Sequence, residues 1–228
     1  MASKCQHCRT NDAKPVMFIE TKKIDVSMRL CQNCYDTKEH WDYPFIYREV
    51  FERKGITFID NHPDYPQAFL NTDVNFSPII SKAMAWKPAD NKCGLILHGE
   101  TGTCKSRTAW LVFNKMWKEN YPKPAMFLQM RKFERIIENS FENRDHGNSI
   151  DSLIKLPLLV LDDLGKERLT ARMETDLFSI IDERTSNLMP TIITTNYTGS
   201  TLMDRFNNKE TGTAFVRRLR DYFDSLSA

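Results

Sequence analysis

Apolar and polar positions along residues 68–228 switch repeatedly between strand-like and helix-like spacing. Short apolar runs predict buried strands at 94–98, 125–129, 156–162 and 191–195. Helical spacing predicts helices at 105–119, 131–143, 171–186 and 213–222. The polar stretch 139–151 predicts that the second of these helices frays into a loop. Alternating strands and helices are typical of a parallel sheet with helices on its faces, so we expect an α/β fold.

Residues 36–58 form a differently patterned segment, in which charges alternate with aromatic side chains. Within it, 47–54 has the spacing of a helix that ends at Gly55. Interleaved aromatic and cationic residues either stack on nucleic-acid bases or pack a linker helix against a domain. We therefore divide the chain into a small N-terminal module, a linker and an α/β domain, at 1–38, 39–67 and 68–228.

Composition limits the partners and the cellular compartment that we expect for the protein. The chain has 228 residues and a formal net charge of +2, which is too small to indicate nucleic-acid binding except through a local patch. It contains no apolar run of membrane-spanning length and no apolar signal-peptide core at its start, so we expect a cytoplasmic protein without membrane contact. In such a reducing compartment the six cysteines are expected to be thiols or metal ligands.

Two C-x-x-C pairs bracket a predicted β-hairpin in the N-terminal module. The hairpin arms lie at 16–20 and 24–30. Two closely spaced thiolate pairs suit a tetrahedral Zn²⁺ site, as in a zinc ribbon, although their separation is slightly longer than usual. The predicted ligands are Cys5, Cys8, Cys31 and Cys34. Two unrelated pairs of free thiols are the alternative, and His7 and His40 lie near enough to replace a ligand.

The stretch between the first predicted strand and helix of the α/β domain, GETGTCKS at 99–106, has the spacing of a phosphate-binding loop. Gly99 and Gly102 allow a tight turn whose N–H groups face phosphates at a helix N-terminus. Lys105 is expected to reach the β- and γ-phosphates, and Ser106 to ligate Mg²⁺. The predicted nucleotide-binding residues are Gly99, Glu100, Thr101, Gly102, Thr103, Cys104, Lys105 and Ser106.

Cys104 departs from the pattern G-x-x-x-x-G-K-[ST], which has glycine immediately before the lysine. Cysteine is small, so we expect nucleotide binding to persist. The added Cβ and sulfur must fit where the loop curls around the phosphates. ATP hydrolysis is therefore expected to be slow.

Polar side chains end two further predicted strands. Asp162 and Asp163 follow a buried run, at the strand end where open α/β sheets bind ligands. Asp162 is expected to hold Mg²⁺, and Asp163 to orient or deprotonate the attacking water. Asn196 ends the next strand and either positions a γ-phosphate or water, or simply begins a turn.

Four motifs together resemble the AAA+ ATPases of the DnaC-type helicase loaders and the related IstB transposition helpers. They occur in the family's order at 99–106, 158–165, 181–196 and 216–220. The resemblance covers roughly 69–223. It leaves out the N-terminal zinc module, which in some loaders contacts the helicase.

The resemblance implies roles for particular residues. Asp162 and Asp163 correspond to the Walker-B pair and Asn196 to sensor 1. The arginine finger, which reaches a neighbour's γ-phosphate, falls on Arg218, with Arg217 as the nearby alternative. An exposed basic helix face is the other explanation of these arginines. The family further implies ATP, Mg²⁺, DNA and self-association into a ring or filament. Since few residues follow this helix, we expect the ATPase domain at 68–228 to lack a full helical lid.

Three functions are compatible with the sequence. The first is an ATP-dependent loader of a replicative helicase, of a phage or mobile element, which binds that helicase and single-stranded DNA. The second is an IstB-like ATPase helper of a transposase on duplex DNA. The third is a nucleotide-gated DNA-binding adaptor in which Cys104 has disabled turnover.

Overall fold

The computed structural model describes residues 14–21, 24–30, 64–89, 91–120, 124–142, 146–166 and 168–228. The chain divides into two units, residues 1–63 with 118–123, and residues 64–117 with 124–228. Within the described residues, no helix is both apolar enough and long enough to cross a membrane.

The first unit contains a two-stranded antiparallel sheet. Strand β1 is Lys14–Thr21 and strand β2 is Ile24–Leu30. The two pair from Lys14 opposite Leu30 to Thr21 opposite Ile24, with one irregularity between Pro15 and Met17. The predicted hairpin is thus present.

The second unit is built on five parallel strands. They are β3 (Gly94–His98), β4 (Ala125–Gln129), β5 (Leu158–Leu164), β6 (Thr191–Thr195) and β7 (Phe223–Ser227). Their order across the sheet is β4-β5-β6-β3-β7, and every neighbouring pair is parallel. This confirms the predicted α/β fold with a parallel sheet.

Seven helices are described in this unit. They are α1 (Pro78–Ala85), α2 (Lys105–Asn120), α3 (Met130–Glu142), α4 (His146–Lys155), α5 (Ala171–Ser186), α6 (Gly199–Met203) and α7 (Lys209–Tyr222). A short 3₁₀ helix, Gln67–Phe69, precedes them.

The prediction of a loop across 139–151 was wrong in its second half, because α4 begins at His146. The segment is polar, but Ile150 and Leu153 are three residues apart on one face and both are buried. Strand β5 runs two residues later than the predicted 156–162, so it includes both Asp162 and Asp163. Helices α1 and α6 and strand β7 were not predicted at all.

Apolar residues of the sheet pack alternately on its two faces, as strand geometry requires. On β5, Leu159 and Leu161 join one buried cluster, whereas Leu158 and Val160 join the other. Helix α5 packs in the first cluster through Leu177, and helix α2 packs in the second, where Trp110 stacks on Phe127 with ring centroids 3.8 Å apart. Helices thus cover both faces of the sheet. Polar side chains that could bind a ligand are therefore expected at the ends of the strands.

Arg184 is a fully buried arginine in α5, at 0% exposure. Its guanidinium donates to the carbonyl oxygens of Leu153, Ile154, Leu156 and Pro190 and to the Thr191 hydroxyl, over 2.6 to 3.0 Å. Burial lowers its pKa from 12.5 to about 10, so the group is still charged at neutral pH. The side chain therefore links the C-terminal end of α4 to Pro190 and Thr191, where β6 begins.

Candidate functional site

The loop 99–104 joins β3 to α2 and turns tightly. Gly99 and Gly102 have φ angles of 146° and 89°, which glycine adopts readily. A Cβ at Gly99 would come within 3.2 Å of Ala228, so this position also has little space for a side chain. The Thr103 hydroxyl donates to the carbonyl oxygen of Glu100 over 2.8 Å and holds the turn together. The strand, turn and helix predicted around the loop are all present.

Lys105 is the first residue of α2 and is only 6% exposed. Its ammonium lies inside the curve of the loop, donating to the carbonyl oxygens of Gly99 and Glu100 over 2.8 and 2.5 Å. Burial lowers the pKa of Lys105, and the nearby carboxylates of Asp163 and Asp162 partly oppose this shift. A cation is thus held at the centre of the loop, where phosphates are bound in this type of turn.

Cys104 has a φ of 64°. This left-handed conformation strains residues with a Cβ and explains why glycine is the usual residue here. Its carbonyl oxygen accepts the first helical hydrogen bond of α2, from the N–H of Thr108, over 2.8 Å. The loop therefore keeps the backbone shape that glycine would give, with a side chain added.

Asp162 lies at the end of β5 and is 3% exposed. The Thr194 hydroxyl donates to its Oδ1 over 2.7 Å. Burial raises the pKa of Asp162, whereas the hydrogen bonds from Thr194 and Ser106 lower it. A hydroxyl at the start of α2 thus meets a carboxylate at the end of β5, which is the pairing that the sequence predicted for Mg²⁺.

Asp163 is more open than its neighbour and has a φ of 64°. Its carboxylate forms an ion pair with Lys166 over 3.1 Å. Asn196, at the end of β6, donates from Nδ2 to the Thr101 hydroxyl over 3.3 Å. The ends of β5 and β6 are therefore both brought to the phosphate-binding loop.

Most of these groups, but not Gly99, Glu100 or Asp162, line one cleft of about 310 Å³. Its lining comprises Phe69, residues 101–107, Asp163, Lys166 and Asn196. Phe69, Arg107 and Lys166 were not predicted as site residues. Phe69 lies in a 3₁₀ helix far from the loop in sequence, so no motif marks it, whereas Lys166 follows the two carboxylates closely and its charge was the available signal.

The residues present fit a magnesium nucleotide. The loop offers a buried ammonium and a turn with two positive-φ glycines at a helix N-terminus, and Ser106 with Asp162 offers hydroxyl and carboxylate oxygens, which Mg²⁺ prefers. Lys105 and the carboxylate of Asp163 line the same cleft. This separation of charges is what a nucleotide with its metal requires.

Arg218 and Arg217 lie on α7 and do not line this cleft. Arg218 forms an ion pair with Asp182 of α5, with 2.5 Å between Nη2 and Oδ1. Arg217 pairs with Asp221 over 3.6 Å and its side chain is 73% exposed. Both line a second cavity together with Phe178 and Tyr222, and neither is among the described residues that line the first. Within one chain, the predicted finger is therefore not part of the cleft.

The predicted zinc ligands Cys5, Cys8, Cys31 and Cys34, with His7 and His40, lie outside the described residues, as does the aromatic segment 36–58. In the ranges that the structure does describe, no group of three or more His, Cys, Asp or Glu side chains could hold a metal ion. The zinc site stays a prediction.

The chain is similar in sequence to known proteins. The model of the family described as IstB-like ATP binding protein matches residues 77–227. The replicative helicase loader DnaI of Bacillus subtilis (strain 168) is 24% identical over 120 residues, which make up 52% of this chain and 38% of that protein. The match thus spans well under half of this relative's length.

Solved structures share the fold of the second unit. A crystal structure of DnaI has a TM-score of 0.55 at 21% identity, covering 69% of this chain and 86% of that chain. The DnaC helicase loader has a TM-score of 0.56 at 24% identity, covering 71% and 99%. Domain III of the Thermotoga maritima replication initiation protein DnaA has a TM-score of 0.57 at 16% identity, covering 72% and 67%. These likenesses establish an AAA+-like α/β fold.

Proposed function

Because the chain belongs to the family of IstB-like ATP-binding proteins, related to the DnaI and DnaC helicase loaders, we propose that it is an ATP-hydrolysing loader of a replicative helicase. One observation carries the hydrolytic part of this proposal. The phosphate-binding loop, Ser106, Asp163 and Asn196 line one cleft, and Ser106 also contacts the buried Asp162 behind it. Nucleotide binding needs only the loop, whereas hydrolysis needs carboxylates and an amide placed beyond the phosphates.

Each residue of the cleft has a proposed task. Lys105 and the loop N–H groups would bind the phosphates, and Ser106 with Asp162 would hold Mg²⁺. The metal would neutralise charge on the β- and γ-phosphate oxygens. Asp163 would orient the attacking water or accept its proton, because it is open to the cleft.

We further propose that the chain works as an assembly. Arg218 does not line its own cleft, but its partly exposed side chain on α7 could reach a neighbouring chain. A ring or filament of this kind would place single-stranded DNA against its surface. Asn196, held near the loop by Thr101, would sense the γ-phosphate in each chain.

The partner is proposed from relatives. The matched Bacillus subtilis protein is a replicative helicase loader, which supports a helicase as partner. The family description instead names IstB, which favours an ATPase helper of a transposase as the second candidate. We propose that Cys5, Cys8, Cys31 and Cys34 bind Zn²⁺ and that this module contacts the partner.

A capture experiment with the replicative helicase of the organism in which this chain occurs tests two proposals together. They are that a helicase is the partner and that the zinc module contacts it. The tagged full chain should carry about one Zn²⁺ and retain the purified helicase. Cys31→Ser should lose the metal and the helicase but still bind ATP, because the nucleotide site belongs to the other unit. Cys93→Ala is the matched control, since Cys93 is a buried thiol of the second unit.

Three outcomes of this experiment would count against the proposal. Zinc-free protein prepared without chelator would refute the metal site. Helicase capture unaffected by Cys31→Ser would refute the module as the contact. Retention of the cognate transposase in place of the helicase would support the second candidate.

Replacing Cys104 with glycine should raise the rate of ATP hydrolysis. Glycine removes a left-handed strain of about 1 kcal/mol and frees space beside the phosphates. Because misplacement of reacting groups by about 1 Å can lower a rate by about 100-fold, turnover should respond more than affinity does. Steady-state phosphate release and nucleotide titration measure the two effects.

Cys104→Ala separates the two causes, because alanine keeps the Cβ and its strain but removes the sulfur. We expect this variant to remain slower than the glycine variant. A Cys104→Gly enzyme no faster than the parent would show that the residue does not limit turnover. Saturating ATP should also slow alkylation of this thiol, mapped by mass spectrometry against the buried Cys93.

A further inference from the structure

Asp162 and Asp163 lie at an irregularity of the sheet. Strands β5 and β6 pair regularly up to Leu161 opposite Ile193, and then Leu164 lies opposite Thr195. Three steps along β5 therefore match two along β6, so β5 contains one extra residue, as in a β-bulge. A bulge changes the direction in which nearby side chains point. Here the irregular segment between Leu161 and Leu164 contains both carboxylates, Asp162 and Asp163.

Between Leu161 and Leu164, β5 has no regular pairing with β6, and the side chain of Thr194 on β6 forms hydrogen bonds to β5 there. Its hydroxyl donates to Asp162 Oδ1 over 2.7 Å and accepts from the backbone N–H of Asp163 over 2.9 Å. The side chain is fully buried, at 0% exposure, so no water competes. The next residue, Thr195, donates from its hydroxyl to the carbonyl oxygen of Leu164 over 2.7 Å.

The two bonds of Thr194 use its hydroxyl in complementary ways. A hydroxyl has one proton to donate and lone pairs with which to accept. The Asp163 N–H approaches the lone pairs, so the proton is directed at Asp162. One carboxylate oxygen of Asp162 is thereby fixed, and Asp163 is held in its unusual backbone conformation, with φ at 64°.

We propose that Thr194 is a positioning residue that sets the geometry of both carboxylates for magnesium and for water. This inference rests on the proposed ATP hydrolysis. The hydroxyl would act through Asp162 and Asp163, to which it is hydrogen-bonded, and not through contact of its own with nucleotide or metal. Groups that orient metal ligands in this way typically alter metal affinity by about 10- to 100-fold when removed.

Thr194→Val tests the proposal, because valine keeps the β-branched shape and loses only the hydroxyl. We expect Mn²⁺ affinity, measured by electron paramagnetic resonance with a non-hydrolysable ATP analogue, to fall by about 10-fold or more. Binding of the same analogue in EDTA should change by no more than about twofold, since it depends on the loop. Turnover should fall with metal affinity.

Thr194→Ser is the matched control, because serine restores the hydroxyl without the methyl group. It should bring Mn²⁺ affinity back to within about threefold of the parent. If the valine variant fails to fold, Thr194→Cys provides a weaker donor on an unbranched side chain and should show the same direction of change.

Several results would overturn the inference. They are a folded Thr194→Val protein with unchanged Mn²⁺ affinity, an equal loss of analogue binding in EDTA, and a serine variant that restores nothing. Failure of the proposed function is distinguishable from these results. In that case the parent protein itself would bind neither the analogue nor Mn²⁺, or would bind both without turnover.

Discussion

Asp163→Asn should reduce ATP turnover by a factor of about 100 to 10,000 while leaving ATP bound, because the variant removes a base or water-orienting carboxylate and, besides that, only a partly exposed ion pair with Lys166. Asparagine tolerates the left-handed backbone at this position as well as aspartate does. The backbone N–H bond to Thr194 is also kept. Single-turnover phosphate release and titration with a fluorescent ATP analogue measure the two properties separately.

Asp151→Asn is the control for this variant. Asp151 lies on α4 in an exposed ion pair with Lys155 over 3.4 Å. Because exposed ion pairs contribute little, the turnover of Asp151→Asn should stay within about twofold of the parent. Equal loss of analogue binding and turnover in Asp163→Asn would instead indicate a damaged nucleotide site. The proposed task of Asp163 would then be wrong.

Mixing two inactive variants tests whether Arg218 of one chain acts on the cleft that contains Asp163 of another chain. Arg218→Ala retains an intact cleft and Asp163→Asn retains an intact arginine, so mixed assemblies should contain some complete sites. We expect the mixture to exceed the summed activity of the separate variants. Arg217→Ala, mixed in the same way, tests the alternative finger. Mixed assemblies without any recovery would show that Arg218 does not act on a neighbour.

Arg184→Met should destabilise the second unit by about 3 to 5 kcal/mol, as does loss of one partner from other buried polar networks. Methionine would leave the carbonyl oxygens of Leu153, Ile154, Leu156 and Pro190 without their shared donor. For a unit of this size the melting temperature should drop by about 10 °C. Thermal denaturation measures this effect, and hydrogen exchange should report faster opening of α4.

Arg135→Met is the matched control, because Arg135 is exposed on α3. Its stability should stay within about 0.5 kcal/mol of the parent. Arg184→Lys should recover little, because one ammonium cannot replace a fork of five donors. An unchanged melting temperature in Arg184→Met would mean that water or a rearranged α4 satisfies these carbonyl groups.

The sequence was most informative where one local pattern determines structure. Strands β3, β4 and β6 and helix α5 fall at the predicted residues, because each combines strong periodicity with clear ends. Strand β7 was missed because Phe223–Ser227 is short and three of its five residues are polar, without regular alternation. Its strand conformation depends on pairing with β3, which no local pattern reveals.

The candidate site shows the same limit. The loop, Asp162, Asp163 and Asn196 were recognisable because each ends a strand or begins a helix within a known spacing. Thr194 and Arg184 were not assigned roles, since a threonine in a β-branched run and an arginine in a helix are ordinary residues. Their contacts join segments distant in sequence, about 30 residues apart, and only the fold shows them.

Phosphate release by the full chain, followed over rising protein concentration beside Asp163→Asn, tests the claim that the cleft between the phosphate-binding loop and the ends of β5 and β6 hydrolyses ATP in an assembly. Turnover per chain should rise as the protein associates, because Arg218 would then reach neighbouring clefts, and Asp163→Asn should stay near background throughout. Parent protein that binds ATP yet never exceeds the Asp163→Asn rate, at any concentration, would contradict the claim.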